Sequence, residues 1–163
     1  MQKFLLIDPD QCTGCRDCEL VCPLEHDDVI NPYRSRITII SEEWKGMDFP
    51  IVCQQCEEPV CQKVCPVNAI SEDTDTGAKV IHQNKCIQCR VCMMNCPLGG
   101  VGVDPVTADA IKCDLCGGNP QCVEVCETNT LRFVEATKAN LEKKRKSLTK
   151  YLEWLERTET REV

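Results

Sequence analysis

Large aromatic side chains are scarce. Phe4, Tyr33, Trp44, Phe49, Phe133, Tyr151 and Trp154 are all there are, 4% of 163 residues. A chain of this length usually builds its core with more rings, so something else has to fill the interior. Long apolar runs are missing too, and none could span a bilayer. The opening stretch MQKFLLIDPDQC has one lysine and a four-residue apolar run before Asp8, Pro9 and Asp10. No signal-peptide core and no twin-arginine signal fit there, so the expected setting is cytoplasmic and reducing. The formal charge of −7 argues against nucleic acid as a partner, although that count treats every thiol as neutral.

Cysteine, in contrast, makes up sixteen residues. They fall into four groups of four: Cys12, Cys15, Cys18, Cys22; Cys53, Cys56, Cys61, Cys65; Cys86, Cys89, Cys92, Cys96; and Cys113, Cys116, Cys122, Cys126. The first and third read C-x2-C-x2-C-x3-C-P, and the second and fourth widen the middle gap. Every group ends in C-x3-C. Proline follows in three of them, and Glu127 replaces it in the fourth. In bacterial two-cluster ferredoxins the first three cysteines of such a run hold one [4Fe–4S] cube and the late fourth holds the other. The spacing therefore predicts loops wrapped around cubes, with the late cysteine near the start of a short helix and aimed at a second cube. A disulfide framework also uses an even cysteine count, but C-x2-C neighbours rarely suit structural bridges and a reducing compartment disfavours them. A structural zinc-binding interaction protein would use C-x2-C pairs, yet has no use for a third and fourth cysteine in each run.

The intervening chain reads as short strands and turns. Ser35 to Ser41 is an alternating β-branched run. Ala69 to Ser71 and Ala78 to His82 form the arms of a hairpin around Asp75-Thr76-Gly77, and GVGVDPVTADAIK repeats the design around Asp104-Pro105. TLRFVE is a candidate last strand. LGGVG and GGN lack the spacing of nucleotide loops and suit close backbone approach or tight turns. His26 and His82 are expected to be hydrogen-bonded or solvated, since sixteen cysteines already match sixteen ligand places. Lys85 and Lys112, each just before a cysteine group, either raise a nearby cluster's potential or simply lie exposed.

From Val134 the chain loses Gly, Pro and Cys and becomes rich in helix formers. Leu141, Leu148, Tyr151, Leu152 and Leu155 form one apolar stripe. The basic run Lys143 to Lys146 reads as a solvated face. The stripe is expected to dock on another subunit or on a second copy of this chain, with filament growth as one consequence. Folding back on its own domain is the alternative.

The four-fold pattern, LIDPDQCTGC and KCDLC together resemble the ferredoxin-like electron-transfer subunits of molybdenum and tungsten oxidoreductases, the dimethyl sulfoxide reductase and formate dehydrogenase type. MNCPLGGVGVDP, the short length and the C-terminal helix resemble most the small subunit of tungsten-containing aldehyde oxidoreductases. The resemblance implies an α+β fold of tandem bacterial-ferredoxin-like halves with short hairpins and one-turn helices, plus a C-terminal α-helix. Residues 1–134 would be the four-cluster domain, with an inner half at about 50–100 and an outer half of 1–49 with 101–134, and 135–163 would serve docking or assembly. It also implies nested ligation: Cys12, Cys15, Cys18 and Cys126 on cluster 1; Cys22, Cys113, Cys116 and Cys122 on cluster 2; Cys53, Cys56, Cys61 and Cys96 on cluster 3; Cys65, Cys86, Cys89 and Cys92 on cluster 4. Spacing alone leaves sequential pairing of the groups open. The implied role is a non-catalytic relay between a tungsten or molybdenum pterin subunit that oxidises aldehydes and a flavin subunit or other acceptor. A formate dehydrogenase or hydrogenase partner is the other relay reading.

Overall fold

The chain alternates cysteine loops with two-stranded ladders, and among the described residues no sheet grows beyond two strands. The computed structural model describes residues 3–159, without the side chains of Lys45, Leu155 and 157–159. The described strands are β1 (Lys3–Ile7), β2 (Ile37–Glu42), β3 (Met47–Val52), β4 (Ile70–Glu72), β5 (Lys79–Ile81), β6 (Val101–Val103), β7 (Ala110–Lys112) and β8 (Leu131–Glu135). The helices are α1 (Asp17–Asp27), α2 (Val60–Lys63), α3 (Val91–Met94), α4 (Gln121–Glu124) and α5 (Lys138–Glu159).

Three ladders are local antiparallel hairpins, β2–β3, β4–β5 and β6–β7. The β4–β5 and β6–β7 hairpins share one turn design. Asp73 Oδ1 accepts from the Asp75 and Thr76 backbone N–H groups, and Asp104 Oδ1 does the same for Val106 and Thr107. Each turn then uses one left-handed residue, Gly77 in the first and Ala108 in the second, to bring the chain back. The aspartate is there because its short carboxylate can mimic the backbone acceptor of a turn. β5 and β7 lie side by side, and Lys112 Nζ donates to the Lys79 carbonyl across them. The fourth ladder is long-range: β1 pairs with β8, Lys3 opposite Glu135 through Ile7 opposite Leu131. Residues 4–7, read from sequence as only a short apolar run, thus become a strand because β8 supplies the partner.

Packing forms around cysteine rather than around rings. One buried cluster joins Leu5, Ile7, Ile37, Ile39, Val52, Leu115 and Leu131 to Cys18, Cys22, Cys113 and Cys122. A smaller one joins Ile70, Val101 and Ala110 to Cys92. Glu19, 4% exposed, is buried at the first of these because its Oε1 accepts the Ile39 N–H at 2.6 Å and so ties α1 to β2.

Two sequence expectations need correction, and the folding-back alternative for the C-terminal stripe is met in part. The late cysteine does not open a helix: Cys65, Cys96 and Cys126 stand just past α2, α3 and α4, and it is the third cysteine that lies in the first turn. Cys22 differs again and lies inside α1, which runs on through Pro23 for eleven residues, so not every helix is a single turn. Finally, the C-terminal stripe finds its cover within the chain. Thr137 accepts the Asn140 and Leu141 N–H groups at the start of α5. Farther along, Tyr151 and Trp154 stack with Phe49 of β3, the Trp154 ring centroid 5.2 Å from that of Phe49 and 6.0 Å from that of Tyr151. Trp154 Nε1–H donates to Glu42. The face turned inward is thus shifted toward Trp154, and Leu152 stays 45% exposed. The Leu155 side chain and residues 160–163, which the sequence reading included, lie outside the described residues.

Candidate metal centres

Each cysteine loop is shaped by a left-handed residue two positions after its first cysteine. These are Gly14, Gln55, Gln88 and Leu115, with φ of 67°, 48°, 56° and 62°. A left-handed residue inside a tight turn aims successive N–H groups to one side and makes an anion-receiving concavity. Three of the four are not glycine, and each such residue costs about 1–3 kcal/mol that the surroundings must offset. Sequence reasoning missed them. The one available signal was Gly14, whose place in the first group is held by Gln55, Gln88 and Leu115 in the others.

A second left-handed residue follows the late cysteine by three: Asn68, Gly99 and Asn129. It turns the chain back so that the Ala69, Gly100 and Leu131 N–H groups donate to Cys65, Cys96 and Cys126 Sγ at 3.2, 3.3 and 3.5 Å. The first group departs from this. Cys22 Sγ instead receives the Arg36 N–H at 3.3 Å. Gln88 and Leu115 N–H groups donate to Cys86 and Cys113. At Gly100 an added Cβ would lie 2.6 Å from Cys53 Cα, so the Gly-rich stretch does serve close backbone approach.

The groups interleave in space. Cys12, Cys15, Cys18 and Cys126 line one cavity. Cys22, Cys113, Cys116 and Cys122 line a second. Cys65, Cys86, Cys89 and Cys92 line another. The Cys53 and Cys96 thiols both act electrostatically on Cys56 and Cys61, which gathers the remaining four. Cys18 also feels Cys122, and Cys113 feels Cys53. The last two sets share one apolar patch through Cys61, Cys65, Cys86 and Cys96. The four sets therefore run in one line. The middle cysteines Cys15, Cys56 and Cys89 are the exposed members of their sets, whereas Cys22, Cys113 and Cys122 are buried.

As free thiols, several of the buried members resist ionisation. Burial, then the charge of neighbouring thiols, pushes Cys18 and Cys122 up to about 12. Burial drives Cys113 well above the usual thiol range. Iron–sulfur clusters are bound by thiolates, and the metal charge offsets the repulsion among four sulfurs. Soft sulfur donors in sets of four, with N–H groups aimed at them, fit that kind of group.

Cys22 is the exception. Burial works to raise it, but the His26 hydrogen bond and the Arg36 N–H outweigh burial and hold it low. His26 Nδ1–H donates to the Cys22 carbonyl at 2.8 Å and Nε2–H to Asp114 Oδ1 at 3.0 Å. Both ring nitrogens face acceptors, so the ring is a cation, and the Asp114 hydrogen bond lifts its pKa well above the ordinary value. Arg36 Nη1 donates to Asp114 Oδ2. His82 Nε2 pairs with Ser71 Oγ at 2.6 Å. Both histidines are thus hydrogen-bonded, as the residue count implied. Lys85 is exposed, whereas Lys112 is only 3% exposed.

Residues 44–136 match the 4Fe-4S dicluster domain model, and residues 4–30 match a 4Fe-4S binding domain. The chain belongs to the 4Fe-4S dicluster family. Its sixteen cysteines stand in ferredoxin motifs consistent with four [4Fe–4S] clusters. It is 45% identical over 123 residues to the polyferredoxin-like subunit of an aliphatic sulfonate oxidoreductase from Pyrococcus furiosus, covering 76% of this chain and 70% of that one. It is 37% identical to the putative electron transport protein YsaA of Escherichia coli, covering 85% and 93%. The fold also resembles a chain of the BamBC active site complex of benzoyl coenzyme A reductase, with a TM-score of 0.51 and 24% identity over 90% of this chain and 88% of that one. The ferredoxin-like dicluster fold, with its hairpins, small helices and C-terminal helix, agrees with the sequence reading. No helix among the described residues is long and apolar enough to cross a membrane.

Proposed function

We propose that the chain is the electron-relay subunit of an oxidoreductase complex, with four [4Fe–4S] clusters held in the nested arrangement Cys12/15/18/126, Cys22/113/116/122, Cys53/56/61/96 and Cys65/86/89/92. The observation that carries this reading is the interleaving of the four cysteine groups, which leaves no thiol over. A cube ligated by four thiolates gains and loses single electrons. The chain's own part is to place the sulfurs, shield them and aim N–H groups at them. In this reading the thiols are committed to clusters, and substrate chemistry falls to a partner.

The tungsten aldehyde oxidoreductase resemblance favours a pterin-containing partner oxidising aldehydes, with a flavin subunit or soluble acceptor downstream. The Pyrococcus relative supports a second reading, in which the partner acts on sulfonates. Copurification from the native source, with tungsten and molybdenum assayed in the catalytic partner and aldehyde and sulfonate turnover compared, separates the two. The relay reading requires about 16 iron atoms per chain, four per cube, with equal acid-labile sulfide. Stoichiometric zinc in anaerobic preparations would refute it. Nested ligation requires Cys126→Ser and Cys15→Ser to disturb the same paramagnetic signal. If Cys126→Ser disturbs the signal altered by Cys65→Ser, the arrangement is wrong.

A further inference from the structure

The charges around the four cysteine sets are unequal. Beside Cys12, Cys15, Cys18 and Cys126 the ions shielded from solvent are acidic, and the cation at the cavity, Arg16, is exposed and 3.8 Å from Glu19. The Asp48 carboxylate presses on the loop, 2.7 Å from where a Cβ on Gly14 would stand. Glu19, buried beside Cys18, adds a second negative charge. Around Cys22, Cys113, Cys116 and Cys122, the cations His26 and Arg36 share one carboxylate, Asp114, which leaves one net positive charge. Around Cys65, Cys86, Cys89 and Cys92, the cation at the cavity is Arg90, which is exposed to solvent.

The set Cys53, Cys56, Cys61 and Cys96 is different. Lys112, 3% exposed, is held by the Lys79 carbonyl, and no carboxylate of the described residues pairs with it. Its charge falls on Cys61. Lys79 next to it, by contrast, is neutralised by Glu72 at 2.7 Å. From the other side α5 delivers Lys144, the one member of the basic run that turns inward. Its Nζ donates to the Gln54 carbonyl, inside the Cys53-x2-Cys56 loop, and sits 4.6 Å from the centroid of the Phe4 ring. Lys144 and Cys56 line the same groove of about 240 Å³. Among the described residues the carboxylate whose charge reaches Lys144 is Glu57, which is exposed.

We propose that Lys112 and Lys144 make the Cys53/56/61/96 cluster the most oxidising of the four, the place where the first electron taken up by the chain resides. Each reduction adds one negative charge to a cube, and a cation in a dry, low-dielectric setting favours that charge far more than one in water. The acidic end set then has the lowest potential, and the set with one solvated cation and the set with one net cation lie between. An electron entering at the Cys12 end moves toward the third position and waits there until a second one arrives. The inference rests on the cluster arrangement proposed above.

The test is an anaerobic redox titration of the fully loaded chain, followed by electron paramagnetic resonance. Cys56→Ser first identifies the signal of this cluster, which in the wild type should be the first to appear on reduction. Lys144→Gln should lower its reduced-to-oxidised ratio at fixed poise by about tenfold, equal to about 59 mV for a one-electron couple, and leave the other signals in place. Lys144→Arg, which keeps the charge, should restore the wild-type order, and Lys112→Met should act in the same direction as Lys144→Gln. The proposal is overturned if the first signal is not the one altered by Cys56→Ser, if Lys144→Gln leaves it unmoved with full iron content, or if Lys144→Arg shifts it as Lys144→Gln does. A wild-type chain carrying less than half the expected iron would instead remove the cluster reading beneath it.

Discussion

Replacing Trp154 with alanine should release the C-terminal helix while leaving the cysteine sets intact. Trp154 is 8% exposed, stacks on Phe49 and Tyr151, and donates its indole N–H to Glu42. Removing a buried tryptophan of this kind costs about 3–5 kcal/mol. Other polar ties of α5 to the domain include Lys144 to Gln54, Asn140 to the Glu135 carbonyl and the exposed pair of Lys150 with Asp10. An exposed pair contributes only about 0–1 kcal/mol, too little to hold the helix alone. If α5 opens as a unit, 3 kcal/mol corresponds to roughly a hundredfold rise in the open population, at 1.36 kcal/mol per tenfold. Native-state hydrogen exchange, read by mass spectrometry on peptides spanning 138–159, should accelerate by that order. Peptides of β2, β3 and the cysteine loops should keep their protection, and iron content should be unchanged. Exchange of 138–159 at the wild-type rate would refute the claim that the aromatic stack anchors the helix.

Asp104 carries the pH prediction. Burial works to raise its carboxyl, but the Arg34 guanidinium at 2.8–2.9 Å and the Val106 and Thr107 N–H groups outweigh burial and hold it below the usual range. Its stabilisation is therefore complete above the ordinary value of 3.8 and is lost as the pH falls through the lower folded value. The Tm gap between wild type and Asp104→Asn should be constant at neutral pH and close on acidification. Gln55→Ala should cost about 1–3 kcal/mol in a denaturant midpoint, because it orphans the buried Lys79 N–H and Cys113 carbonyl that the side chain serves at 2.7 and 2.8 Å. Gly100→Ala should lose one cluster selectively, lowering iron from about 16 to about 12 atoms per chain, since its Cβ has only Cys53 backbone to displace.

Much of this was legible because cysteine spacing is a geometric statement. C-x2-C fixes a loop, and the odd fourth cysteine fixes that loop to a neighbour. The two aspartate-led hairpins could be read for the same reason: their turns are closed by local hydrogen bonds whose donors and acceptors are adjacent in sequence. Most of the remaining failures are non-local. β1 becomes a strand only because β8 arrives beside it, and no pattern in FLLI announces that partner. Gln55 and Leu115 adopt left-handed backbone although neither residue type favours it. The stripe of leucines pointed to an interface because it did not include Trp154, whose partner Phe49 is 105 residues earlier. Lys144 looked like one of a solvated run and is distinguished from its neighbours only by the Phe4 ring and the Gln54 carbonyl it meets.

The β1–β8 ladder sets an order of construction. With the arrangement proposed above, the inner two sets have all eight sulfurs once Cys96 has left the ribosome. The outer two wait for Cys126, thirty residues later, and β1 has no partner until 131–135 follow. At roughly 5–20 residues per second that interval is a few seconds, during which Phe4, Leu5 and Leu6 have nothing to cover them. Cluster loading on the nascent chain would therefore run from the middle of the sequence outward. A premature stop between 97 and 121 should yield a half-loaded product, with the N-terminal cysteines Cys12, Cys15 and Cys18 left open to air oxidation.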